Sequence, residues 1–111
     1  MPALDPSSLD LPERHRHTLQ ALLATYTPHA QVWAYGSRVN GNAHEGSDLD
    51  LVLRNPINLT EDVTGWHELK EALQASDLPM LVDVHLWSRL PQAFHTNIEA
   101  AYVQLQSPPF H

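Results

Sequence analysis

The segment 32–53 constrains the fold of this 111-residue chain more than any other part of the sequence. Two runs of apolar and aromatic residues, Val32–Tyr35 and Leu51–Leu53, enclose a glycine-serine pair and an Asp-Leu-Asp triplet. Short runs of this kind predict β-strands, and the glycine-serine pair predicts a tight turn. The segment therefore predicts two strands connected through a turn, with carboxylates where the second strand begins.

Asp48 and Asp50 are the carboxylates of that triplet. Because successive side chains of a strand point to opposite faces, these two project together. Adjacent carboxylates repel each other, and a divalent cation is the simplest reason to keep them on an apolar strand. Mg²⁺ prefers hard oxygen ligands and usually retains waters and substrate phosphates. The pair predicts a magnesium site, whereas an isolated Asp-x-Asp would more often be two solvated carboxylates.

Gly36 and Ser37 form the glycine-serine pair, ten residues before Asp48. Glycine adopts backbone angles closed to other residues and lets a phosphate approach the main chain. Ser37 follows where a short helix is expected to begin, so its hydroxyl and the backbone N–H groups can hold phosphate oxygens. A glycine-serine pair alone is usually only a turn. Its place between two strand-like runs, ahead of the carboxylate pair, favours a phosphate site.

Asp83 lies at the centre of another β-rich run, 80–87. An aspartate inside an apolar strand costs free energy to bury without a partner, unless it lies on an edge strand and faces water. If this strand lies beside the strand of Asp50, Asp83 joins the carboxylate pair. It could then ligate a catalytic metal or accept the proton of an attacking hydroxyl. His85 shares its face, where a neutral packed histidine is the simpler interpretation.

This pattern of a glycine-serine pair, ten residues, Asp-x-Asp and a later aspartate on a strand resembles the DNA polymerase β-like nucleotidyltransferase superfamily. The sequence of residues 36–51 is most similar to the smallest branch of this superfamily, the minimal nucleotidyltransferases. The resemblance covers roughly residues 12–105. It implies an α/β fold in which helices flank a small mixed β-sheet.

The resemblance also implies a set of site residues. In that family the equivalents of Asp48 and Asp50 bind two Mg²⁺ ions, and the equivalent of Asp83 is the third catalytic carboxylate, which we expect to ligate metal as well. The glycine-serine turn binds the β- and γ-phosphates of the nucleotide. We expect the nucleotide-binding residues to be Gly36, Ser37 and Arg38, the last through a charge-assisted contact.

The same resemblance implies a partner. Many minimal nucleotidyltransferases are encoded beside a helical HEPN protein, and in toxin–antitoxin pairs several act as antitoxins that adenylylate a tyrosine of the toxin. We therefore expect AMP transfer from ATP to a hydroxyl of a HEPN-type protein. Two alternatives stay open: a small-molecule nucleotidyltransferase of the aminoglycoside-modifying kind, and an antitoxin that acts by contact alone. Asn40, where the family frequently has a second arginine, removes one possible phosphate contact.

Composition and short sequence patterns exclude several other classes of protein. A net charge of −7 with only six lysines and arginines argues against direct nucleic-acid binding. The absence of cysteine excludes disulfides and thiolate chemistry and fits a cytoplasmic protein. No apolar run approaches the ~20 residues of a membrane span, and the N-terminus does not resemble a signal peptide. The eight histidines form no His-Glu-x-x-His zinc motif.

The order of the expected elements predicts one α/β domain over 1–111, with 1–9 and 107–111 as loose tails. Asp10 is expected to cap a helix that starts near Pro12 and ends at Pro28, and Thr60 to cap a later one. The expected strands are 30–35, 48–54 and 81–87, with a short helix at 37–42, a loop at Gly46, and longer helices at 60–75 and 91–106.

Overall fold

The structure is a computed structural model that describes residues 4–41 and 47–108, with only the backbone of Pro6 and Asn40. The predicted loop at Gly46 lies outside the described residues, as do the ends of both predicted tails. Four strands and four α-helices alternate along the chain, with short 3₁₀ turns at Pro6–Ser8 and Trp87–Arg89. The elements are α1 (Glu13–Tyr26), β1 (Gln31–Tyr35), α2 (Ser37–Asn40), β2 (Leu49–Arg54), α3 (Trp66–Gln74), β3 (Val82–Leu86), α4 (Gln92–Ala100) and β4 (Val103–Gln106).

The strands form one sheet in the order β3-β2-β1-β4. β1 is antiparallel to both of its neighbours, β2 and β4. β2 and β3 are parallel, and α3 lies in the crossover connection that a parallel pair requires. The predicted mixed sheet with flanking helices is therefore confirmed.

One face of the sheet carries the main core. Alternate residues of the strands point to this face, and each is at most 1% exposed: Val32, Ala34, Leu49, Leu51, Leu53 and Val103. From α1 and α3 they meet three leucines with no exposed surface: Leu19, Leu23 and Leu69. Truncation of such a leucine to alanine typically costs about 2–5 kcal/mol. This face holds the sheet and its two long helices together, which fixes the opposite face in place.

The opposite face changes character along the strands. Tyr35, Asp50 and Asp83 form one row across three neighbouring strands. The next row contains Trp33 and Val52, which pack with Trp87 and Ile98 in a second apolar cluster under α4. The guanidinium of Arg54 extends this cluster, 4.0 Å from the ring centroid of Trp33 and 4.5 Å from that of Trp87. A packed aromatic layer thus lies directly beside a row of polar side chains.

The predicted helix 91–106 is wrong over its second half. α4 ends at Ala100, and Val103–Gln106 forms β4, the edge strand beside β1. Val103 and Leu105 are buried while Gln104 is exposed, which is the two-residue period of a strand. Pairing with β1 also satisfies backbone groups that would otherwise lie on an open edge. Within α4, Ile98 is buried and Phe94 is 53% exposed.

The helix predicted from Thr60 begins later, at Trp66. The hydroxyl and backbone N–H of Thr60 both donate to Oδ1 of Asn58, at 2.6 and 3.0 Å. A side chain engaged in such a local turn does not cap a following helix. Gly65, with φ of +89°, provides the turn that starts α3 instead. Among the described residues, no helix has the length and apolar character to cross a membrane.

The lead-in predicted to be loose contacts the rest of the domain through Leu4 and Leu9. The backbone N–H of Leu4 donates to the carbonyl oxygen of Tyr102 at 2.8 Å, next to β4. Leu9 is 4% exposed and joins the main core. Two prolines and two serines in the first nine residues suggested a flexible segment, but the leucines between them supply enough apolar surface to anchor it.

Candidate active site

The structure brings Asp50 and Asp83 together, as expected if their strands are neighbours. The two residues are register partners in the parallel pair β2–β3, and both side chains are half-buried. Asp48 lies one residue before β2 and is exposed. The three predicted carboxylates therefore converge on one end of the sheet, two from paired strands and one from the segment leading into β2.

The electrostatics of Asp50 reflects this convergence. Burial is the main cause that raises the pKa of Asp50 above its ordinary value, and the negative charge of Asp83 is the next. His85 partly offsets the increase, and Asp48 adds a smaller one. Because like charges that share a site disfavour ionisation, the cluster is electrostatically strained when no cation is present.

The donor set suits Mg²⁺, which takes carboxylate oxygens, waters and substrate phosphates. A cation would also relieve the repulsion that raises the pKa of Asp50. Within residues 4–41 and 47–108, however, no three Asp, Glu, His or Cys side chains are grouped closely enough to hold a metal ion by themselves. A metal ion held by these carboxylates would therefore need further ligands beyond these side chains.

Gly36 joins the predicted phosphate turn to this cluster. Its φ of +85° and ψ of −154° lie in a region almost exclusive to glycine. A Cβ at this position would lie 2.6 Å from Oδ2 of Asp50, so the carboxylate packs directly against the glycine backbone. Ser37 follows as the first residue of α2 and is half-buried. The turn and the central carboxylate thus form one contiguous surface.

Arg38 is used differently from the simple expectation of a phosphate contact. Its side chain is 6% exposed. Nε donates to the carbonyl oxygen of Ser47 at 3.0 Å, and Nη1 to that of Asp10 at 2.9 Å. These bonds tie the lead-in, α2 and the residue before Asp48 to one another. A contact of Arg38 with phosphate stays a prediction. The structure shows that Arg38 connects the lead-in, α2 and the segment before Asp48.

Tyr35 is a site residue that the sequence analysis did not single out. It is the register partner of Asp50 across β1–β2, and its ring centroid lies 6.2 Å from that of His85. Burial, followed by the charges of Asp50 and Asp83, raises the pKa of Tyr35 to about 12. At neutral pH it is therefore a neutral phenol at the floor of the carboxylate row. Its position directly before the glycine was the available signal.

Comparison with known proteins agrees with this geometry. Residues 3–103 match the family model of the central palm domain of mitochondrial-like poly(A) RNA polymerases. The Haemophilus influenzae protein described as "Probable protein adenylyltransferase MntA" is 36% identical over 100 residues, which cover 90% of this chain and 86% of the relative. The chain is a minimal nucleotidyltransferase. The family suggested by the motif of residues 36–51 is thereby confirmed.

A solved structure supports the fold of this minimal nucleotidyltransferase. The crystal structure of a toxin–antitoxin with AMP-PNP matches it with a TM-score of 0.65, covering 82% of this chain and 72% of the other. Sequence identity between the two is 20%, so the match shows a shared fold. Nucleotidyl transfer is the activity of the family, and the row of carboxylates beside the glycine turn is its candidate site in this chain.

Proposed function

We propose that this minimal nucleotidyltransferase moves AMP from ATP to a hydroxyl group of a partner protein in the presence of Mg²⁺. The observation that carries the proposal is the contact between Gly36 and Asp50, which joins a phosphate-binding turn to a carboxylate paired with Asp83. Support for a protein acceptor comes from the MntA relative, described as a protein adenylyltransferase. Support for an adenine nucleotide comes from the AMP-PNP of the structural neighbour.

In this proposal the turn holds the nucleotide. The backbone of Gly36 and the hydroxyl and N–H of Ser37 receive the β- and γ-phosphates. Arg38 contributes positive charge beside them and keeps the turn and the approach to Asp48 in register through its bonds to Ser47 and Asp10. Fixed donors and charges of this kind stabilise the charge that develops during phosphoryl transfer.

The carboxylates Asp48, Asp50 and Asp83 would hold two Mg²⁺ ions together with the phosphates. When bound, the ions neutralise phosphate charge and lower the pKa of the attacking hydroxyl. Asp50 has a central place, because it contacts the turn and both other carboxylates influence its pKa. The proposed role of the protein is placement and charge stabilisation rather than covalent chemistry.

The reaction is an in-line displacement at the α-phosphorus of ATP. The acceptor oxygen forms a bond to phosphorus, the bond from phosphorus to the bridging oxygen of pyrophosphate breaks, and pyrophosphate leaves. The hydroxyl proton passes to a carboxylate oxygen of Asp83 or to water. Val82 and Val84, which flank Asp83, pack toward the main core and hold the carboxylate on the opposite face.

We further propose that the acceptor belongs to a HEPN-type toxin and that this chain is its antitoxin. The toxin–antitoxin structure with the same fold supports the pairing, and a cytoplasmic reaction fits a sequence without cysteine. An antitoxin that acts by contact alone remains the second candidate, because Asn40 stands where the family frequently has a second arginine and the chain has only six lysines and arginines. The two candidates differ in whether the partner becomes covalently modified.

The test is a mass measurement. The protein encoded beside this chain is incubated with ATP, Mg²⁺ and either wild type or Asp83→Asn, and intact masses are read. We expect one AMP per modified site with wild type and none with Asp83→Asn, which should still fold and bind ATP. Asp77→Asn, an exposed aspartate outside the site, is the matched control and should transfer normally. A stable complex without label from wild type would favour the contact-only antitoxin.

A further inference from the structure

β3, the strand that carries Asp83, is an edge of the sheet, and among the described residues no strand pairs with its outer side. The N–H of Leu49 donates to the carbonyl oxygen of Leu81 at 2.9 Å, and Leu49 is the register partner of Val82. In a parallel ladder this alternation directs the N–H and C=O groups of Val82 and Val84 away from β2. The strand therefore presents a hydrogen-bonding edge next to the catalytic carboxylates.

The two edges of the sheet differ in how they are covered. At the β4 edge, the N–H of Leu4 donates to the carbonyl oxygen of Tyr102, and the Pro6–Ser8 turn packs against β4. The β3 edge has half-buried side chains at Val82 and Val84. Open edges usually invite pairing unless they carry charged or covered positions. Here the charge is Asp83, which the proposed chemistry requires.

Apolar surface lies beside the β3 edge. A depression of about 260 Å³ separates the end of α3 from the start of β3, and Leu73, Leu78, Met80 and Val82 contribute to its lining. Leu81, which directly precedes β3 and is 58% exposed, also lines this depression. An extended segment placed along β3 would therefore meet apolar contacts on one face and the carboxylates on the other.

We propose that the acceptor segment of the partner protein docks as an added strand on the outer edge of β3. This inference rests on the proposed function and names how its acceptor reaches the site. In strand addition, main-chain hydrogen bonds supply affinity and alternate side chains supply specificity. The chain's net charge of −7 favours a segment with basic flanks.

The register defines the segment chemically. Neighbouring strands lie about 4.8 Å apart, so a residue opposite Asp83 has its Cα one strand spacing away and its side chain on the same face. The adjacent residue points to the other face, over the depression beside Val82. The docked segment thus carries its acceptor hydroxyl on the residue opposite Asp83 and an apolar residue next to it.

Amide hydrogen exchange on wild type tests the docking directly. In the free chain, the amides of Val82 and Val84 should exchange faster than those of Asp83 and His85, which β2 protects. Addition of the co-encoded protein with AMP-PNP and Mg²⁺ should slow the Val82 and Val84 amides by about tenfold or more. Unchanged exchange at both amides, in a sample where the same pair transfers AMP from ATP, would overturn strand addition and leave the transferase function standing.

A pair of variants provides the second readout. Val84→Pro removes an outward N–H that β2 does not use, and proline is tolerated at such edge positions. Val84→Ala keeps this N–H and reports the effect of losing the side chain alone. We expect the KM for the partner to be at least about tenfold higher for Val84→Pro than for Val84→Ala, because only Val84→Pro loses the N–H. A folded Val84→Pro that modifies the partner with wild-type KM would contradict the proposal. If Val84→Pro does not fold, the exchange measurement on wild type decides.

Discussion

Replacement of Gly36 by alanine tests the contact on which the site depends. The added Cβ would lie 2.6 Å from Oδ2 of Asp50, whereas ordinary contact begins at about 3.4 Å. Either the carboxylate moves by most of an ångström or the turn opens by a similar amount. Both responses separate the proposed phosphate-binding turn from the carboxylate that it now touches.

The stability cost of Gly36→Ala follows from the backbone. A residue other than glycine in this φ/ψ region costs about 1–3 kcal/mol. For a domain of this size, each kcal/mol lowers Tm by about 4 °C, so the expected loss is about 4–12 °C. Thermal denaturation followed by circular dichroism measures this directly. The variant should still be folded at low temperature, where its activity can be compared with wild type.

The effect of Gly36→Ala on activity should exceed its effect on folding. A displacement of a catalytic group by about 1 Å can cost on the order of 100-fold in rate. We therefore expect AMP transfer to fall about 100-fold at a temperature where the variant is fully folded. The assay is the initial rate of label incorporation into the partner protein, normalised to the folded fraction of enzyme.

Two other glycines with positive φ provide matched controls. Gly41 has the same φ of +85°, but among the described residues a Cβ there meets nothing within 4 Å, so Gly41→Ala should cost stability and keep transfer near wild type. At Gly65 a Cβ would lie 2.1 Å from the carbonyl oxygen of Tyr26, so Gly65→Ala should destabilise strongly without touching the site. Gly36→Ala with the activity of Gly41→Ala would refute the reasoning, and so would losses in all three that merely follow Tm.

Substitutions at three further residues test the electrostatics and the positioning of the site. Arg38→Lys cannot reproduce the bonds to Ser47 and Asp10, so we expect the free energy of unfolding in urea to fall by about 2 kcal/mol. Arg38→Ala should weaken ATP binding by about 10- to 100-fold in calorimetry. Wild-type stability of Arg38→Lys would exclude the structural role of Arg38, and wild-type ATP affinity of Arg38→Ala would exclude its phosphate contact. Because the pKa of Asp50 is raised in the fold, the protein loses stability as the pH rises from the ordinary aspartate range through that raised pKa. Asp50→Asn should therefore raise Tm at pH 7 without metal, and this gain should vanish as the pH falls below the ordinary aspartate range. Mg²⁺ with ATP should no longer raise the Tm of Asp50→Asn. A Tm below that of wild type at pH 7 would contradict the raised pKa of Asp50. Tyr35→Phe should remove the phenol that titrates near 12 in ultraviolet spectra, and an unchanged titration curve would show that Tyr35 is not the late group.

The sequence could predict the carboxylate row because its signals are local. Alternation within a strand placed Asp48 and Asp50 on one face, and a single assumption about neighbouring strands brought Asp83 to them. The turn at Gly36 could also be predicted from the sequence, since few residue types other than glycine adopt its backbone angles. These features depend on short stretches whose backbone geometry is set by the nearest neighbours.

The features that the sequence did not predict depend on contacts between distant segments. β4 owes its conformation to pairing with β1, since Gln104 is the register partner of Trp33. The apolar residues of 91–106 also fit a helical period when the segment is considered alone. Whether its end forms a helix or a strand is decided by the edge of β1, with which it can pair. Arg38 is buried because a carbonyl 28 positions earlier, that of Asp10, lies within its reach. Such long-range choices are not encoded in any local period.

The three carboxylates are not equally constrained. Asp50 and Asp83 belong to hydrogen-bonded strands, so their separation is set by the sheet. Asp48 lies before β2 and reaches the site from a segment outside that ladder. Insertions or deletions between Gly41 and Ser47 can therefore alter the approach to Asp48 while Asp50 and Asp83 keep their spacing. Relatives should vary in length at this point more freely than within β2 or β3, since a change there leaves the spacing of the two paired carboxylates as the sheet sets it.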